Sequence, residues 1–170
     1  YSLVMTEAVH KNWRNQTSDR RAYILTRSTF AGQQRNAATT WSGDIGANWQ
    51  VYRNQISAGT NHCMSGIPYW TFDIGAFVIG AYGGAFSTGG KQPSYQELYT
   101  RMFQLGAFCP IFRSHGSETP REIWEMGEFS PTLIKFDNLR YRLLPYIYSL
   151  AWKVTNDDYT YMRGLPMDFS

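Results

Sequence analysis

A chain of 170 residues, 43% apolar and 17% charged, is long enough to bury a core of its own or to form part of a larger domain. Its net charge of +3 comes from scattered basic residues, so no basic stripe for nucleic acid is visible. No apolar run approaches the roughly 20 residues of a membrane span, and no charged-then-apolar leader follows Tyr1. The outlier is an aromatic content of 16%, which suits both a core and flat ligand faces edged with hydroxyls.

In chain order, Leu3, Ala8, Val9 and Trp13 fit a helix from Ser2 to about Arg14, and residues 15–19 read as a polar turn. Residues 21–26 read as a short buried strand and Ala38 to Trp41 as a second extended piece. Trp49, Tyr52 and Ile56 mark a helix from Asn48 to about Gly59, followed by a third strand over 67–72. The Gly-rich stretch 78–92 reads as a mobile surface loop. Ser94 and Glu97 form a capping-box pattern opening the next helix, and Phe108 to Phe112 is a fourth strand candidate. A long helix is expected from about Thr132 to Trp152, kinked or restarted at Pro145, and a further strand over 162–169.

This β/α alternation implies a parallel sheet. Four successive strand ends carry polar residues, namely Arg27, Asp44, Asp73, and Arg113 with His115. A TIM barrel gathers its site at the C-terminal ends of all its strands, whereas a doubly wound sheet concentrates it at one switch point. The barrel is the better fit. A complete barrel needs roughly 250 residues, so residues 1–170 are expected to be a partial barrel domain, its C-terminal half.

Asp44 stands between glycine-loosened backbone and an indole, in Trp41-Ser42-Gly43-Asp44, and Asp73 lies in a second aromatic and Gly-rich stretch. An ionised carboxylate in such company is costly without a partner or a task. Asp44 is either the cap of the following helix or a catalytic carboxyl; a helix start lowers its pKa, and apolar burial or a second carboxylate raises it. Asp73 is either a turn residue or an acceptor for substrate hydroxyls. Arg27 either pairs with a carboxylate or holds both an acid and a sugar hydroxyl. His115 is one of three histidines, and His10 and His62 have no metal-ligand spacing. Cys63 and Cys109 read as small buried residues, neither a disulfide nor a metal pair. Residues 84–91 imitate a phosphate loop, but a second glycine precedes Lys91 and Gln92 replaces the metal-binding hydroxyl. Asn15-Gln16-Thr17 matches a glycosylation sequon that occurs readily by chance.

Taken together, the ordered segments resemble glycoside hydrolase family 31. They are Tyr23 to Ser28, Phe30 to Arg35, Trp41 to Asp44, Asp73 to Phe77, Arg113 to Gly116 and Arg140 to Tyr146, and they span nearly the whole chain. The resemblance implies a retaining α-glycosidase with a (β/α)8 catalytic barrel that needs no cofactor or metal. Asp44 would be the acid/base. Arg27, Asp73 and His115 would bind hydroxyls of the cleaved sugar, and Trp41 and Phe77 would form its apolar walls. Ala76 departs from the usual glycine of its motif, an extra methyl expected to tighten the loop carrying Phe77.

The family's nucleophile, an aspartate on an earlier strand, has no counterpart between Tyr1 and Arg27. Retaining hydrolysis needs two carboxyls roughly 5–5.5 Å apart, so the nucleophile is expected upstream and these residues alone are expected to be inactive. Gln33 to Asn36, Ser65 to Thr71 and the Gly-rich stretch look most like the bacterial α-xylosidase branch. The alternatives are an α-glucosidase, a non-catalytic carbohydrate-binding homologue and, weakest, a nucleotide-binding α/β domain. The expected partner is an oligosaccharide or glycoside.

Overall fold

In a computed structural model, which describes residues 1–81, 84–86 and 88–169, the chain begins with helix α1 (Ser2–Gln16). This helix exposes Val4, Met5, Val9 and Trp13. Its buried edge is polar: Asn36 donates from Nδ2 to the Leu3 carbonyl at 3.3 Å and to Thr6 Oγ1 at 3.1 Å. Those bonds seat the 3-10 turn Gln33–Asn36 on the first turns of the helix.

Three short strands follow, β1 (Ile24–Thr26), β2 (Ala38–Trp41) and β3 (Trp70–Thr71), with helix α2 (Trp49–Met64) between the last two. They form one parallel sheet in the order β1-β2-β3, with Ile24 opposite Ala38 and Thr40 opposite Trp70. Residues 70–74 are all buried, as befits a parallel strand covered on both faces. Helix α3 (Pro93–Gly106) packs Tyr95, Leu98, Tyr99, Met102 and Phe103 against Trp70, Phe72 and Ile74 to make the core, which Leu133 joins from helix α4 (Ser130–Asn156).

Several expectations are corrected here. The capping box does not form: Pro93 occupies the first helical turn, Gln92 is the N-cap, and no side chain caps α3. The fourth strand shrinks to a single parallel bridge between Ile74 and Ser114. Its preceding carbonyls are taken by a side chain instead, since Arg140 donates to the carbonyls of Ala107, Cys109 and Pro110 at 3.0, 2.6 and 3.0 Å. Helix α4 is unbroken through Pro145, and 162–169 is a 3-10 turn (Leu165–Met167), not a strand. Arg163 closes that turn on Asp168 at 2.8 Å and on the Met167 carbonyl at 3.0 Å.

The Gly-rich stretch is anchored at both ends. Val78, Ile79 and Phe86 are buried, and Gly89–Lys91 forms a 3-10 turn; Tyr82, Gly83 and Ser87 lie outside the described residues. Both cysteines are buried and free. Cys63 accepts from the Met162 amide at 3.1 Å, and burial pushes the Cys109 thiol up to about 12. No helix among the described residues is long and apolar enough to cross a membrane.

Candidate active site

The C-terminal ends of β1, β2 and β3, with the bridge at Ser114, lie side by side, and each delivers one expected residue or more. Arg27 follows β1, and its Nη1 stands 3.6 Å from Oδ2 of Asp44, which follows β2. Gly43 makes this approach possible. Its backbone is left-handed at φ 79°, and a Cβ there would fall 2.5 Å from Arg27 Nε. Asp44 is not the cap of α2: that position belongs to Asn48, whose side chain accepts from the Val51 amide at 2.7 Å. The cap reading of Asp44 is thereby removed, and the carboxylate is left a third exposed beside one loosely held cation.

Asp73 follows β3 in a contrasting setting. It is wholly buried and ion-paired through Oδ1 with Arg113 Nη1, while its Oδ2 has no hydrogen-bond partner among the described residues. Burial raises its carboxyl above the ordinary aspartate value of 3.8. Arg113 and then His115 oppose that shift, and Asp44 adds to it. The guanidinium of Arg113 also lies over the Trp41 ring, 5.8 Å from its centroid, and the Trp41 indole N–H is buried with no partner among the described residues.

The turn after Asp73 closes when its carbonyl accepts from the Ala76 amide at 2.9 Å, with Gly75 at φ 91° and Ala76 at φ 60°. Tyr95, on α3, holds it from below by donating to the Gly75 carbonyl at 2.8 Å. Phe77 then emerges with its ring centroid 5.6 Å from that of His115. One carbonyl links neighbouring strand ends, because Ile45 O accepts from both Phe77 N at 2.9 Å and Val78 N at 3.2 Å.

All six expected residues therefore fall at one edge of the sheet, Trp41 at the end of β2 and the other five on adjoining loops. Two buried or half-buried arginines beside these residues escaped the sequence reading. Arg113 was noted only as a polar strand end, and its pairing with Asp73 spans 40 positions that no local pattern links. Arg121 carried no signal, since it sits in an ordinary polar stretch after Thr119-Pro120.

A parallel sheet that gathers acids and arginines at the C-terminal ends of its strands fits the active-site edge of a TIM barrel, and the comparisons give the family. Residues 1–150 match the model for the glycosyl hydrolases family 31 TIM-barrel domain, and the chain belongs to that family. It is 48% identical over 170 residues to an α-xylosidase of Saccharolobus solfataricus, covering 99% of this chain and 22% of that protein. It is 33% identical over 172 residues to α-glucosidase 2 of Bacillus thermoamyloliquefaciens, again over 99% of this chain and 20% of the relative. Among solved structures, the family 31 α-xylosidase of Xanthomonas citri superposes with a TM-score of 0.91 at 45% identity, over 99% of this chain and 19% of that one. An α-xylosidase from a soil metagenome, complexed with xylose, gives 0.83 at 31% identity, over 96% and 26%. The chain thus spans about a fifth of the length of these relatives.

Proposed function

We propose that the whole protein containing this chain is a retaining exo-α-glycosidase, specifically an α-xylosidase, and that residues 1–170 are the C-terminal half of its catalytic barrel. The observation that carries the reading is the pairing of two unlike carboxyls on neighbouring strand ends: Asp44, a third exposed beside Arg27, and Asp73, buried against Arg113. Environments that separate two carboxyls in this way divide acid/base work from fixed electrostatic work. Similarity to two α-xylosidases supports the substrate class.

In this reading Asp44 protonates the glycosidic oxygen as a nucleophilic carboxylate, supplied from upstream of this chain, attacks C1. The leaving group departs, and Asp44 then deprotonates the water that releases the sugar. Its exposure suits that exchange, because in each cycle the group gives a proton to the leaving oxygen and takes one from the attacking water. Asp73 Oδ2 and the guanidinium of Arg27 bind sugar hydroxyls, together with His115. Trp41 and Phe77 supply flat apolar walls to the ring faces.

A second reading, α-glucosidase, is favoured by the 33% identity to an enzyme of that name. The two substrates differ by one CH2OH group, which a pocket discriminates by only about 1–3 kcal/mol. Comparing kcat/KM of the full-length protein for α-xylosides and α-glucosides decides between them, and preference for the glucoside rejects the xylosidase assignment. Absence of turnover on both would leave a carbohydrate-binding homologue.

A further inference from the structure

We infer that Arg121 is a positioning residue of the sugar pocket, gripping the strained turn that carries Phe77 and locking it to the loop that carries His115. This rests on the glycosidase reading of the site. Arg121 is only 8% exposed, yet it has no carboxylate within ion-pairing distance among the described residues. Its charge is met by backbone carbonyls. Nη1 donates to Ser117 and Thr119, each at 2.7 Å, and Nη2 donates to Ala76 at 2.5 Å and Phe77 at 3.2 Å. One guanidinium thus holds both loops, which are far apart in sequence. A buried cation without such partners would be strongly disfavoured.

The slot is made for this group. At Gly116 a Cβ would lie 2.3 Å from Arg121 Cζ, and at Gly75 one would lie 3.1 Å from Nε. The Arg121 carbonyl is fixed in turn by the Tyr99 hydroxyl, which donates to it at 2.6 Å. Of the turn residues it grips, Ala76 is the one in a left-handed conformation that a residue with a side chain resists. Phe77 O additionally accepts from the Ser117 amide at 2.8 Å, so the grip ends at the residue whose ring faces His115. A lysine keeps the charge but, as a compact ammonium, does not present the planar fork that spans two loops.

Arg121 makes none of the contacts found at Asp44, so loosening it should disturb sugar binding more than proton transfer. The test uses the full-length enzyme with an aryl α-xyloside and the variants Arg121→Lys and Ala76→Gly. For Arg121→Lys, KM is expected to rise roughly fivefold to twentyfold with kcat within about threefold of the parent. Ala76→Gly, whose backbone accepts φ 60° freely, should keep its melting temperature and raise KM about twofold to fivefold as the turn gains freedom. A lowered melting temperature with unchanged KM is what a purely structural brace would produce, and unchanged KM in Arg121→Lys overturns the inference. If Arg121→Lys yields no folded protein, Arg121→Gln, which keeps amide N–H donors in the same slot, is read by the same KM criterion. A parent inactive on α-xylosides and α-glucosides alike overturns the glycosidase reading, and this inference with it.

Discussion

The ends of β2 and β3 lie side by side and each presents an aspartate, yet the two loops treat the charge in opposite ways. Asp44 keeps a third of its side-chain surface in solvent and meets Arg27 at 3.6 Å, across a glycine that leaves room for the approach. Asp73 has no exposed surface and is pinned by Arg113, itself only 20% exposed. A carboxyl that must gain and lose a proton in each cycle needs water and a soft partner. One that must hold a sugar in register needs a fixed direction more than it needs water. On the proposed reading, neighbouring strands of one sheet would thus support two chemistries through depth and choice of partner.

The contrast fails or sharpens under substitution in the full-length protein. Asp44→Asn should cost the most, about 10²- to 10⁴-fold in kcat/KM for substrates with poor leaving groups, with far less lost on activated aryl glycosides. Equal losses on both would remove its acid role. Asp73→Asn should act on binding, raising KM by about 10- to 100-fold while leaving the leaving-group dependence of the parent intact.

Next come the partner cations. Arg113→Met strands a buried carboxylate and should destabilise the protein by about 3–5 kcal/mol in denaturant titrations. Arg27→Met breaks a solvent-screened pair and should cost less than about 1 kcal/mol. Equal costs would erase the distinction between the two loops.

The smallest effect is on pH. Burial, opposed by Arg113, lifts the Asp73 carboxyl above its unfolded value, so the folded state holds this proton to higher pH than the unfolded chain does. Its contribution to stability is therefore complete below the ordinary aspartate value and is lost as pH rises through the raised one. Comparing unfolding free energies of parent and Asp73→Asn across mildly acidic pH should show that slope in the parent and not in the variant. A slope of the opposite sign would mean that Arg113 outweighs burial.

Much of this edge was legible in the sequence. Strand β2 begins and ends where the Ala-Thr-Thr-Trp run does, and the expected site residues gather at its end and on the adjoining loops because parallel strands put their C-terminal ends together. Part of what stayed hidden depended on groups distant in sequence. Phe108 to Phe112 has the composition of a strand, but its neighbouring carbonyls are drawn to a guanidinium about 30 positions away on α4. The capping-box spelling around Ser94 was overruled locally, by a proline that moves the start of the helix forward. Asp44 could be read locally as a cap because aspartate suits that position as well as the true cap, Asn48, does.

The carbonyl of Ile45, shared between the amides of Phe77 and Val78, has a mechanical consequence. With Ala47 N donating back to Val78 O at 2.9 Å, the two loops are laced together as a single plate. A replacement that moves one of them is expected to move the other, so on the proposed reading recognition of the sugar and delivery of the proton would be coupled. New specificity in such a scaffold arises most easily from changes that move both loops at once, and single replacements in either one should carry a penalty in the other.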